Sequence, residues 1–254
     1  MIKKRIIPVQ LLINDRLVKT VNFDSYRDVG NPVTSSKVYC SQDADELIFL
    51  NINRENRSVN ALVKLIKKVS EVCFMPLAIG GGINTLKNAE FLITNGADKV
   101  VLNSCCFSNP EVITQIAHKF GSQAVIASID VKFDETSRDY KLYSDCGRVL
   151  EDVSLENHIK KVTKLGVGEI FVNSIDKDGT MSGYDIELIK KVMSYTSLPV
   201  IACGGSGNYE QLKEAFIKTD VSALACGSIF NFADNNPIRA KAALSNYNIP
   251  LKKI

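Results

Sequence analysis

The residues best placed to do chemistry are carboxylates at the ends of strand-like runs. Asp130 closes the apolar run AVIASID (124–130), and Asp176 follows EIFVNSI (169–175). Positioned carboxylates of this kind are common acids and bases, with burial and neighbours tuning their pKa. An aspartate after a strand can also simply cap the next helix or turn. Asp178 suits that plainer role, because DKDG is a turn signal. Asp130, ending an otherwise apolar run, is the stronger candidate for proton transfer.

Two glycine turns offer a second kind of chemistry. IGGGIN (79–84) and CGGSGN (203–208) each follow a strand-like run and precede a helical pattern. Glycine lets backbone approach a ligand closely, and N–H groups at a helix start favour an anion. The next strand-like run of each set ends in small residues: Asn103 and Ser104, then Gly227 and Ser228. Gly81, Gly82, Asn103 and Ser104 would form one phosphate cradle; Gly204, Gly205, Gly227 and Ser228 would form the other. A substrate with two phosphates would span them. Cys203, directly before the second turn, reads as a small buried thiol, and of the adjacent Cys105 and Cys106 one is expected to pack inward.

These residues need a frame that brings strand ends together. Eight short runs rich in β-branched residues recur at 5–12, 46–52, 76–80, 99–103, 124–130, 169–175, 199–203 and 222–226, with helical patterns between several of them. In SVNALVKLIKKVSEV (58–72), Val59, Leu62, Val63, Ile66 and Val69 share one helical face; SLENHIKKVTKLG (154–166) is a second such segment. Eight strands alternating with helices over 254 residues fit a (β/α)8 TIM barrel. The chain also repeats itself. Residues 75–107 align with 198–230, and Pro76 to Pro199, Phe107 to Phe230 and Glu46 to Glu169 are each offset by 123 (199 − 76, 230 − 107, 169 − 46). A single domain, 1–254, made of half-barrels at about 1–120 and 121–254, would produce this. A doubly wound open sheet fits so long a period less well.

Composition narrows the function classes. Net charge is +3, from 31 basic and 28 acidic residues without a basic stripe, which disfavours nucleic acid. Nothing reaches the length of a membrane span, and MIKKRIIPVQ lacks a signal-peptide core. Seven cysteines with no CxxC spacing suit a reducing cytoplasm. His118 and His158 have no cluster of Cys or His around them, so neither a metal nor a cofactor is expected.

Over essentially its whole length the sequence resembles the cyclase subunit of imidazole glycerol phosphate synthase. The resemblance rests on KRIIP (4–8), RLVKTVNF (16–23), RDVGNPV (27–33), ADELIFLNI (44–52), GGGI (80–83) and NGADKVVLNS (95–104). It continues through FGSQ (120–123), SIDVK (128–132), GVGEI (166–170), SIDKDGTMSGYD (174–185), PVIACGGSG (199–207) and SIFNF (228–232). The related isomerase of histidine biosynthesis shares the repeat and the glycine turns, but DGTMSGYD and ADELIFL look like the cyclase. The resemblance implies a barrel that forms a heterodimer with a glutaminase. Ammonia would enter at the N-terminal ends of the strands and meet a doubly phosphorylated substrate at the other end. It implies two catalytic aspartates, at the ends of strands one and five. The second maps onto Asp130; the first falls on Leu11. Gln10 should point to the other side of the pleat, Asn14 does not titrate, and Asp15 lies too far into the loop to substitute. Asn51 and Ala78 also depart from the family's residues. The ring of charges that passes ammonia maps onto Arg5, Glu46, Lys99 and Glu169, and Asp98 maps onto an acid facing the glutaminase.

The reading that follows is a diverged cyclase paralogue. It would deliver ammonia to a phosphorylated or sugar acceptor outside histidine biosynthesis. Family paralogues suggest sugar amidination for lipopolysaccharide or another surface polysaccharide, with a sugar amidotransferase as a further partner. The alternatives are a working cyclase relying on Asp130 alone, and a non-catalytic ammonia conduit. The polar segment KFDETSRDYKLYSDCGR (132–148) is expected to be a mobile loop over the mouth.

Overall fold

Runs of Val, Ile, Leu and Ala with hardly a charge between them must be covered on both faces, and here they become the staves of a closed barrel. The structure, a computed structural model, describes residues 3–55 and 57–252. Its strands are β1 (Arg5–Ile13), β2 (Arg16–Thr20), β3 (Tyr26–Gly30), β4 (Leu47–Asn51), β5 (Leu77–Gly80), β6 (Lys99–Leu102), β7 (Val125–Asp134), β8 (Asp139–Ser144), β9 (Val149–Glu151), β10 (Glu169–Ser174), β11 (Val200–Cys203) and β12 (Ala223–Cys226). Eight of them, β1, β4, β5, β6, β7, β10, β11 and β12, pair in parallel and in that cyclic order, with β12 returning to β1. This is the (β/α)8 barrel expected from the eight runs. The 123-residue offset holds between strands: β5 and β11 start at 77 and 200 and end at 80 and 203.

The helices are α1 (Pro32–Ser41), α2 (Val59–Ser70), α3 (Leu86–Ile93), α4 (Ser104–Ser108), α5 (Glu111–Phe120), α6 (Leu155–Leu165), α7 (Ile186–Ser194), α8 (Tyr209–Lys218), α9 (Ser228–Asn231) and α10 (Pro237–Ser245). Their ends follow from local chemistry. Asn31 caps α1 by accepting from Val33 and Thr34, and Asn208 with Gln211 closes a capping box on α8. Gly166 ends α6 in the left-handed region. In α2, Val59, Leu62, Val63, Ile66 and Val69 are buried as their spacing requires.

Alternation along each stave splits the core into two. Outward side chains pack under the helices. Inward ones, including Ile7, Val9, Ile48, Val101, Ile126, Phe171 and Ile201, fill the bore. Each such fully buried side chain contributes about 1.5–3 kcal/mol.

Two strands outgrow the barrel at its C-terminal end. β1 continues into the antiparallel pair β2–β3, with Leu11 opposite Val18, and β7 continues into β8–β9, with Asp130 opposite Tyr143. The segment 132–148 is therefore β-structure, not the loop expected from its polarity. Leu142 and Ser144 are buried, Phe133 meets Tyr140 edge-on, and Tyr140 donates to Asp185 at 3.0 Å. Polar residues dominate because most of the ribbon is only half-buried.

Candidate active site at the mouth of the barrel

A cavity of about 720 Å³ opens at the C-terminal ends of the staves. It collects Asp130, Gly81, Gly82, Asn103, Ser104, Gly204, Gly205, Gly227 and Ser228 from elements far apart in sequence. The glycines are required by geometry. At Gly82 (φ +75°) a Cβ would stand 2.3 Å from the Arg57 carbonyl, and at Gly205 (φ +99°) one would meet the Gly183 carbonyl.

Asp130 is buried and accepts from Asn103 Nδ2 at 3.1 Å. Burial pushes its carboxyl up to about 7; a hydrogen bond from Asn173 opposes this, the nearby Asp178 charge adds to it, and Ser128 opposes it. A carboxyl group near neutrality both gives and takes a proton readily. Asn173 Oδ1 and Ser228 Oγ are buried without a hydrogen-bond partner, and both residues line the cavity. Each such orphan costs about 1–3 kcal/mol, which a ligand offering a donor or acceptor there recovers.

Asp176 does not join this group. Its carboxylate accepts from the backbone N–H of Phe133 at 2.7 Å, tying β7 to the loop after β10, and it does not line the cavity. Asp178, read from sequence as a turn cap, lines the cavity instead. It is buried, 2.6 Å from Lys19 Nζ, and accepts from Thr20 Oγ1 at 2.6 Å and Phe23 N at 3.2 Å. In SIDKD the chain turns between the two acids, and spacing alone does not fix which one faces inward. Lys19, Asn173 and Arg57 escaped the sequence reading. The signal for Lys19 was a lysine inside an otherwise apolar strand, RLVKT, buried here because Asp178 neutralises it.

Leu11 packs against the bore lining beside Leu50 and Cys203 and faces the cavity. Gln10 points the other way and donates to Ser35 Oγ on α1. Asn14 lines the cavity rim and accepts from Asn53 at 2.8 Å, whereas Asp15 is exposed and outside the lining. Asn51 accepts from Asn53 N at 3.0 Å, and Ala78 belongs to the bore. Burial raises the Cys203 thiol far above its ordinary range, so it is no thiolate. Cys105 and Cys106 are both buried, one more than expected. All seven cysteines are free. His118 is exposed; His158 is buried, stacked on Phe107 at 4.1 Å, and burial lowers it to about 4. Among the described residues no group of three or more His, Cys, Asp or Glu could hold a metal ion, and no helix is long and apolar enough to cross a membrane.

At the opposite end, four side chains from four staves close a ring. Arg5 reaches Glu46 and Glu169 at 2.8 Å each, and Lys99 reaches them at 3.0 and 2.8 Å. The two acids differ. Burial raises Glu46, whose Oε1 has no partner, beyond what Lys99 and Arg5 recover. Burial also acts upward on Glu169, but Arg5 and Lys99 outweigh it and hold this carboxyl below its ordinary range. Asp98, exposed beside the ring, accepts from Leu77 N at 2.8 Å.

Comparison with known proteins agrees with this architecture. The family described as "Histidine biosynthesis protein" matches residues 5–235. The chain is 39% identical over 253 residues to the imidazole glycerol phosphate synthase subunit HisF of Alkaliphilus metalliredigens, covering 100% of both chains. It is 41% identical to the HisF subunit of Hydrogenobaculum sp. over 252 residues, covering 99% of this chain and 100% of that one. The chain belongs to the HisF family. Against the HisF subunit of Lactococcus lactis identity is 37% over 254 residues, covering 100% of this chain and 98% of the other. Membership of the HisF family thus extends over the whole barrel, both hairpins, the ring and the mouth.

Proposed function

We propose that the chain is the ammonia-using synthase subunit of a glutamine amidotransferase, working with a glutaminase seated over the ring of Arg5, Glu46, Lys99 and Glu169. The observation that carries this reading is the apolar bore. It joins that ring to a buried acid, Asp130, beside two glycine cradles. Neutral ammonia crosses an apolar lining at far lower cost than ammonium. At the mouth it would meet a substrate held by phosphate on the cradles, with Ser228 Oγ and Asn173 Oδ1 satisfied by it. Asp130, with its carboxyl at about 7, would remove a proton from the attacking nitrogen's adduct and return one to a leaving oxygen. Full-length relatives named HisF favour the cyclisation of imidazole glycerol phosphate synthesis as the reaction. Seven free cysteines suit a cytoplasmic enzyme.

Leu11 favours a second reading. The strand-one position facing Asp130's cavity carries no proton, so the parent cyclisation would have to run on one carboxylate. In that reading the acceptor is different: a sugar whose acetamido group becomes an amidine in lipopolysaccharide biosynthesis, together with a sugar amidotransferase.

Purified protein supplied with ammonium salt and the histidine-pathway substrate at alkaline pH separates the two. Formation of imidazole glycerol phosphate at a rate ordinary for a HisF subunit supports the first. No turnover, with stimulation of an added glutaminase, supports the second. Neither turnover nor glutaminase stimulation would sink both.

A further inference from the structure

The first cradle has a neighbour that the glycine turn does not explain. Arg57, in the loop before α2, lines the cavity, and its backbone crowds Gly82. Its Nε donates to the Asn53 carbonyl at 2.9 Å. Its Nη2 donates to Asp145 Oδ1 at 2.5 Å and to Cys146 Sγ at 3.4 Å. Asp145 sits in the β8–β9 turn, and its backbone N–H donates to Ser104 Oγ at 3.2 Å. One residue of the hairpin turn therefore occupies both a hydroxyl of the cradle and the guanidinium next to it. Arg148, which also lines the cavity, lies 4.0 Å from the same carboxylate. Arg54 and Glu55 share this rim, but the Arg54 guanidinium is turned to the Phe23 carbonyl at 2.8 Å. The second cradle is built differently: its buried hydroxyl, Ser228 Oγ, has no partner.

We propose that Arg57 is an anion ligand of the first cradle and that Asp145 is its built-in competitor. A phosphate monoester seated on Gly81, Gly82, Asn103 and Ser104 takes the guanidinium from Asp145 and releases Ser104 Oγ. Guanidinium pairs with phosphate through two parallel hydrogen bonds, and a dianion outbids a single carboxylate for it. Because Asp145 belongs to the β8–β9 turn, the exchange also shifts that turn, coupling occupancy of the first cradle to the hairpin over the mouth. At the second cradle the hydroxyl, Ser228 Oγ, has no occupant to displace, although the cation beside Gly227, Lys19, is itself paired with Asp178. This inference rests on the reading of the glycine turns as phosphate sites.

The test is calorimetric titration of the full chain with inorganic phosphate, on the wild type and on Arg57→Gln, Arg57→Lys, Asp145→Asn and Ser228→Ala. Arg57→Gln is expected to weaken one class of site by about tenfold or more while leaving the Ser228-dependent class intact. Arg57→Lys keeps the charge and should retain part of the binding, whereas a purely structural arginine would show no such rescue. Asp145→Asn should tighten the Arg57-dependent site about threefold to tenfold. Two results overturn the proposal: phosphate affinity unmoved by Arg57→Gln, or weakened by Asp145→Asn as much as by Arg57→Gln. Phosphate binding at neither class, with Ser228→Ala also silent, would remove the cradle reading itself and this inference with it.

Discussion

At the lower end of the barrel Arg5 and Lys99 each touch both Glu46 and Glu169, and the four charges sum to zero within one ring. At the upper end Asp130 is held by the amides of Asn103 and Asn173 and by Ser128, and its nearest charged influence is another acid, Asp178. The same staves serve both ends: β6 starts with Lys99 and runs up to Asn103, and β10 carries Glu169 and Asn173. Opposite charges hold Glu169 below its ordinary range, although burial still raises Glu46. A charge answered only by dipoles is left near its point of indecision, which is what proton transfer needs.

The largest effect should come from removing the uncompensated acid. Asp130→Asn is expected to cut turnover with ammonium by roughly 100-fold or more, read from steady-state rates on the accepted substrate. The same variant should be more stable than wild type at alkaline pH. The folded-state pKa of Asp130 is raised to about 7, so the folded protein binds more protons than the unfolded one between about 4 and 7. Stability from this group falls across that window, and the full penalty, up to roughly 4 kcal/mol, is present above it. His158 works with the opposite sign. Its folded-state pKa is lowered from 6.5 to about 4, so its contribution rises as pH climbs through that interval, by roughly 3 kcal/mol. The two nearly cancel in wild type. Denaturant melts of Asp130→Asn from pH 4 to 6.5 should show stability rising with pH more steeply than in wild type, as His158 requires; an unchanged profile would break the comparison.

Next in size is the ring. Lys99→Met leaves Glu46 and Glu169 with one cation between them and should cost about 3 kcal/mol in urea unfolding. Since Lys99 and Asp130 do not touch, the pH profile of ammonium-dependent turnover should stay where it was. Leu11→Asp sharpens the contrast from the other side by placing a second acid at the mouth. It should cost about 2 kcal/mol at pH 8 and less at pH 5, where the new carboxyl is protonated. If a missing acid is what limits cyclisation, it should also raise imidazole glycerol phosphate formation. The smallest effect belongs to the exposed pair of Arg16 and Asp28 on the β2–β3 ribbon. Asp28→Ala should leave the melting temperature within about 1 °C of wild type.

All eight staves were legible because each is a short, mostly apolar run buried on both faces, a pattern that polar hairpins do not share. YRDVG in β3 carries two charges in five residues and is mostly exposed, so nothing in its composition announced a strand. β8 and β9 were disguised too, since β8 is mostly half-buried and β9 has only three residues, two of them exposed. At the mouth, the glycine turns and Asp130 were readable since each obeys a local rule. The exchange of Asp176 for Asp178 was not, because the choice depends on a donor from β2, Lys19, more than 150 residues away in sequence (178 − 19 = 159). Arg57 was invisible for a similar reason: its partner Asp145 arrives from the far ribbon.

The bore has one further consequence. Between Lys99 and Asn103 lie three residues of strand, four steps or about 13 Å, and the apolar side chains at that level include Ile7, Ile48, Val101, Ile126, Phe171 and Ile201. None can hand on a hydrogen ion. The barrel is therefore an electrical insulator between its ends. On the function proposed above, ammonia would have to cross it uncharged, and protons taken up or given away by Asp130 would be exchanged with water at the mouth.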